Sequence, residues 1–216
     1  MVIEHLKDRV KVVCFDFDGT VVSNMAYLIR IATAVLKKHY GDSEKIAEKK
    51  YLETSGRPFE EQIEIMYPKN PRNIFAAADF EKQKLASYMS QKIEKDIHFV
   101  TNYLRRLGYK TAISSSTPLV MIDEYLIKNR LVFDLVLGFS DTFRKGSSHF
   151  NIIEDNFNVK RSAICFIGDS IYDYFVAKDN RVDFIAKAGT FDSKDFYSID
   201  RHIHVIEGLK ELTEIF

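Results

Sequence analysis

The sequence predicts an α/β protein in which a parallel β-sheet is flanked by helices and an all-helical segment is inserted after the first strand. Three observations support this. Short, largely apolar runs recur at residues 10–17, 109–114, 135–139, 163–167 and 182–186, the pattern of strands buried on both faces. Helical periodicity separates the later runs, so strand and helix alternate. Between Ser23 and Ile97 the strand pattern is absent.

In chain order, the first run ends on Asp16 and Asp18. Three helical stripes follow: Leu28, Ala32, Val35 and Leu36; then Phe59, Ile63 and Met66; then Leu85, Tyr88 and Met89. "YGDSEK" (40–45), "TSGRP" (54–58) and "YPKNP" (67–71) separate these helices, with Pro58 suited to a first helical turn. Beyond residue 97 the helices are expected at 119–129, with Leu119, Ile122, Tyr125 and Leu126 on one side, and at 149–157, with Phe150, Ile153 and Phe157. Two domains follow, a core from 1–22 and 97–216 and a helical insertion from 23–96. The insertion starts just after the first carboxylates and is expected over them, hinged near Val22 and Ile97. The chain has no internal repeat and no low-complexity tract.

Composition narrows the function. The 216 residues are 46% hydrophobic, enough for a real core. Lys plus Arg equal Asp plus Glu at 31 each, so no overall field draws the chain to nucleic acid or to an anionic membrane. Residues 1–9 are too charged for a signal sequence, and no apolar run approaches the roughly 18 residues that span a bilayer. A cytoplasmic location, a small-molecule partner and a monomeric state are expected. Cys14 and Cys165 lie inside apolar runs and read as reduced core residues.

The chemistry gathers at strand ends. Asp16 and Asp18, one residue apart beside an apolar strand, raise each other's free energy and call for a positive partner. Asp169 ends a second run and Asp173 follows at a helix start. In open α/β sheets ligands bind beyond the carboxyl ends of the strands, so these acids are expected to share one volume. A hard cation suits oxygen ligands of this kind, and Mg²⁺ fits best. "TAISSSTP" (111–118) adds hydroxyls and N–H groups at a helix mouth, and "RKGSSHF" (144–150) adds Lys145. Metal, hydroxyl, N–H groups and ammonium around a carboxylate form a site for a phosphoryl group.

In order and spacing, "DFDGT" (16–20), the strand ending in Ser115, Lys145 and "GDSIYD" (168–173) resemble the haloacid dehalogenase superfamily, specifically its phosphatase-like members with a helical, C1-type cap. "FDLVLGFSD" (133–141) looks like that family's approach to its lysine. The resemblance implies a Rossmann-like core, an aspartyl-phosphate formed on Asp16, and Asp18 as general acid and then base. It further implies Mg²⁺ held by Asp16, the Asp18 carbonyl and Asp169 with support from Asp173, and a phosphoryl group clamped by Ser115, Ser116 and Lys145. Ser114 is a rival to Ser115; strand alternation favours Ser115 at the tip. Arg57 lies where capped members choose their substrate, and could grip a second anionic group. Gly146 replaces the proline that the family often has after the lysine.

The expected activity is Mg²⁺-dependent hydrolysis of a small phosphorylated metabolite. The alternatives are phosphomutase or phosphonatase-type chemistry and a non-catalytic phosphate sensor. Leu28 stands where capped mutases place a histidine, the cap loop lacks a lysine suited to a Schiff base, and a sensor needs no pair like Asp16 and Asp18. His149 reads as a surface or packing residue. His5, His39, His98, His202 and His204 show no metal-binding spacing.

Overall fold

A computed structural model describes residues 6–140 and 142–216; residues 1–5, His5 among them, and Asp141 lie outside the described residues. The strands are β1 (Val12–Phe15), β2 (Val22–Ser23), β3 (Lys92–Ile93), β4 (Lys110–Pro118), β5 (Leu135–Phe139), β6 (Ile164–Gly168), β7 (Asp183–Lys187) and β8 (His204–Ile206). The helices are α1 (Leu6–Arg9), α2 (Met25–Tyr40), α3 (Glu44–Thr54), α4 (Phe59–Met66), α5 (Asn73–Ser87), α6 (Ile97–Arg106), α7 (Leu119–Asn129), α8 (Ser147–Phe157), α9 (Ile171–Asp179), α10 (Ser193–Ile199) and α11 (Leu212–Ile215).

Six strands form one parallel sheet in the order β5-β4-β1-β6-β7-β8. All four residues of β1 are fully buried, as a central parallel strand with helices on both faces requires. Val12 and Cys14 face one layer, packed with Phe150 and Ile153 of α8, Tyr174 and Ala177 of α9, and Phe166 and Phe184 of the neighbouring strands. Alternation turns Val13 and Phe15 to the opposite layer. The chain leaves β1 toward β4 and β5, then returns to β6 on the other side of β1 and continues outward. The strand order therefore reverses between β1 and β6, and the crevice beyond their carboxyl ends is the place where such a sheet takes a ligand.

The chain divides into two compact units, one of Ile93–Phe216 with the described residues up to Ser23, and one of Asn24–Lys92. The second unit is built on α2 to α5. Its core joins Leu28, Ile31, Ala32, Val35 and Leu36 of α2 to Tyr51 of α3, Phe59 and Ile63 of α4, and Phe80 of α5. Phe59 and Phe80 stack with ring centroids 3.8 Å apart. Gly41 ends α2 at φ 79°, its N–H returning to the Lys37 carbonyl, a left-handed cap that a side chain would strain.

Three expectations need correction. β2 and β3 form a separate two-stranded sheet, so the stretch between Ser23 and Ile97 is not free of strand; two residues are too few to show a period. β8 was not expected, because "HVI" offers only three residues with a histidine at their head. Leu85 is exposed, and α5 buries Ala76, Phe80 and Lys84 instead. Cys14 and Cys165 are buried free thiols. Among the described residues no helix is long and apolar enough to cross a membrane.

Candidate active site

The carboxylates sit where the strand order reverses. Asp16 follows β1 and extends its ladder, its N–H donating to the Ile167 carbonyl at 2.8 Å. The next residues turn back at once: the Phe17 carbonyl accepts from Val21 and Val22, both at 2.9 Å. Gly19 makes this turn at φ 83°, and a Cβ there would overlap the Asp169 carboxylate. Gly168 has the same use at the end of β6, where a Cβ would lie 2.6 Å from that of Asp173. The glycines of "DGT" and "GDS" thus make the room into which two acids fit.

Asp173 is third in α9 and closes a capping box with Ser170. It accepts the Ser170 N–H at 3.2 Å and hydroxyl at 2.6 Å, while its own N–H donates to the Ser170 Oγ at 3.1 Å. Its other oxygen faces inward. Lys145 Nζ lies 2.8 Å from Asp173 Oδ1 and 2.5 Å from Asp16 Oδ1, with only 2% of its side chain exposed. One oxygen from each of Asp16, Asp169 and Asp173 falls within 4.8 Å of the others. Thr20 donates to Asp169 Oδ1 at 3.2 Å.

Electrostatics follow from this crowding. Burial, with Asp173 and Asp169 adding to it against the pull of Lys145, holds Asp16 well above the usual carboxylate range. Burial and Asp173 push Asp169 up to about 7, opposed by Lys187 and Lys145. Burial disfavours the Lys145 charge, but Asp16 and Asp173 outweigh it and hold the ammonium above its ordinary value. The cluster is short of positive charge, and a divalent cation fits that deficit.

The serine tract divides its work. Ser114 Oγ is 2.9 Å from His149 Nδ1, and both residues are fully buried. Burial, with the nearby Lys145 charge, lowers the His149 pKa to about 4, so the imidazole is neutral at pH 7. Ser115 Oγ accepts the Thr117 N–H at 3.0 Å. Ser116 is half-buried at the same strand end. Asp18 is outside the acid trio; its Oδ2 accepts the Thr117 hydroxyl at 2.5 Å. Tyr125 is pushed up to about 12 by burial and by the Asp18 charge.

Asp16, Asp169, Asp173 and Lys145 are therefore brought together, with Asp18 adjoining through the turn. Arg57 belongs to the other unit, where its carbonyl accepts from Gln62 Nε2 at 2.9 Å. Gly146 stands at φ 121°, a conformation closed to proline, so the lysine is presented by a backbone path different from one with proline at that position. Sequence reasoning missed Thr20, Thr117 and Lys187. Lys187 ends β7, is buried, and reaches the Gly19 carbonyl at 3.2 Å and Glu94 Oε2 at 3.3 Å. A lysine closing the apolar run "FIAK" at the same sheet edge as Asp16 and Asp169 was the available signal.

The sequence profile described as haloacid dehalogenase-like hydrolase matches residues 13–187. The chain belongs to the haloacid dehalogenase-like hydrolase family. Solved structures with the same fold include a haloacid dehalogenase-like hydrolase from Bacteroides fragilis (TM-score 0.78, 19% identity, 94% of this chain and 99% of that one). A predicted phosphatase from Clostridium acetobutylicum is similar (0.78, 19%, 95% and 97%), as is a predicted phosphoglycolate phosphatase from Haemophilus somnus (0.72, 15%, 96% and 98%). No curated protein matches the chain. The haloacid dehalogenase-like profile ends at Lys187, so it covers every strand-end residue of the candidate site.

Proposed function

We propose that the chain is a Mg²⁺-dependent phosphatase that hydrolyses a small phosphorylated metabolite through an aspartyl-phosphate. The observation that carries this reading is the buried trio Asp16, Asp169 and Asp173 with Lys145 set on two of its members.

Asp16, the Asp18 main-chain carbonyl and Asp169 would hold the ion, with Asp173 supporting them. Once bound, Mg²⁺ supplies charge that offsets the crowded carboxylates and the phosphoryl oxygens. In the first half-reaction an Asp16 oxygen forms a bond to phosphorus while the bond to the leaving oxygen breaks, and Asp18 gives that oxygen its proton. In the second, Asp18 takes a proton from water, the water oxygen bonds phosphorus, and the bond to Asp16 breaks. The products are an alcohol and inorganic phosphate, and both aspartates return to their starting states. Lys145 and the Ser115–Ser116 hydroxyl and N–H groups neutralise and orient the phosphoryl oxygens. Arg57 contributes to substrate choice through a second anionic group on the metabolite.

The test is turnover of p-nitrophenyl phosphate with and without Mg²⁺, with acid-quenched protein searched by mass spectrometry for phosphate on Asp16. Mg²⁺-dependent turnover and a labelled Asp16 are expected. Full turnover by Asp16→Asn overturns the nucleophile, and an inert wild type overturns the reading as a whole.

A further inference from the structure

We infer that Thr117 is a positioning residue for the proton-transferring carboxyl of Asp18; this rests on the proposed roles of Asp16 and Asp18. The need for such a residue is physical. The terminal torsion of an aspartate is broad and two-fold, so nothing intrinsic fixes the plane of its carboxyl group. A general acid must instead present its proton along one direction, at hydrogen-bond distance from the leaving oxygen.

Thr117 is built for this task. It is fully buried, and it lies on the outer part of β4, where the register with β5 shifts between Ser114 and Pro118. Its N–H is fixed by the Ser115 Oγ at 3.0 Å, and its side chain is β-branched and stiff at χ1. The hydroxyl therefore has little freedom, and it donates to Asp18 Oδ2 at 2.5 Å across 99 residues of sequence. Asp18 is thus held from β4, while its own backbone is held by the turn after β1. With Oδ2 accepting from Thr117, the plane of the Asp18 carboxyl group is fixed when it acts as acid. The same plane is presented when Asp18 acts as base. One hydrogen bond orients both half-reactions.

The contact predicts a leaving-group signature that a purely structural role does not. p-Nitrophenyl phosphate releases a stable phenolate that needs little protonation, whereas phenyl phosphate releases a more basic one. In single turnovers with Mg²⁺, Thr117→Val is expected to slow phenol release from phenyl phosphate by roughly tenfold or more. p-Nitrophenolate release is expected to change less than threefold, KM for both to stay nearly constant, and Thr117→Ser to restore the wild-type ratio. Thr117→Ala removes the hydroxyl with a smaller side chain should the valine variant fail to fold. An equal loss with both substrates, or a change confined to KM, overturns the role of Thr117 and leaves the phosphatase reading intact. If Asp16→Asn or Asp18→Asn keeps full turnover, the underlying reading fails instead.

Discussion

Two carboxylates, one in each unit, are displaced in opposite directions. In the helical unit the hydrogen bonds from Lys38 and His39 hold Asp79 down to about 2, and Lys38 is mostly exposed. In the sheet unit, burial and Asp173 push Asp169 up to about 7. The first is a surface acid that gains its own partners. The second is a buried acid with no cation of its own among the described residues: Lys145 is taken by Asp16 and Asp173, and Lys187 by the Gly19 carbonyl and Glu94. Half-buried charge in the helical unit is fastened locally, as where Lys50, Asp42 and Tyr67 bond one another. In the sheet unit it accumulates at one strand-end edge, which is the arrangement expected of a site that awaits a cation and an oxyanion.

Substitutions sharpen this contrast. The largest difference is expected in turnover: Asp16→Asn should lower Mg²⁺-dependent hydrolysis of p-nitrophenyl phosphate by about 10³-fold or more, whereas Asp79→Asn should leave it within about twofold. Comparable losses from both would erase the distinction between the units. Next comes Lys145→Met, which leaves buried carboxylates uncompensated. It should cost about 3 kcal/mol or more in urea titrations without metal, and Mg²⁺ should recover part of that loss. A midpoint equal to wild type would show that Lys145 does not balance the acids.

Metal and pH should then interact. The raised Asp169 keeps its proton in the folded protein at pH values where the unfolded chain has lost it, from about pH 4 to about 7. Folded protein without metal therefore loses stability as pH rises through that window. The melting-temperature gain from Mg²⁺ should be larger at pH 8 than at pH 5, and a gain independent of pH would contradict the charge deficit. For Asp79 the sign reverses. Its stabilisation is present above the unfolded value near 4 and disappears as pH falls through about 2. Lys38→Met should consequently cost less than about 1 kcal/mol and be masked by added salt, since Lys38 is mostly solvent-exposed. A larger, salt-resistant loss would mean that the two units do not differ in this way.

Much of this was legible in the chain, and what was not has physical causes. The central strands announce themselves because burial on both faces leaves an unbroken apolar run, as in "VVCF" and "ICFIG". Asp16, Asp169 and Lys145 stand out because a charge directly after, or near, such a run has to be explained. β8 and the β2–β3 pair carry too few residues for any period to be read. Leu85 misled because helical spacing fixes which residues share a face but not which face is buried. Thr117 and Lys187 act through contacts spanning 99 and 168 residues of chain, and their residue types are ordinary where they occur. The sequence does not show that the Ser114 hydroxyl meets His149, a pairing 35 residues apart that no local pattern announces.

The two thiols give the molecule a built-in clock. Cys14 and Cys165 lie on the adjoining central strands, fully enclosed, and burial raises both above the ordinary thiol range. Cys14 faces the layer of α8 and α9 and Cys165 the opposite one, so an alkylating reagent reaches each thiol only when the cover on its own face of the sheet lifts. The two labelling rates therefore report how often each face of the sheet is uncovered, with no probe added to the protein.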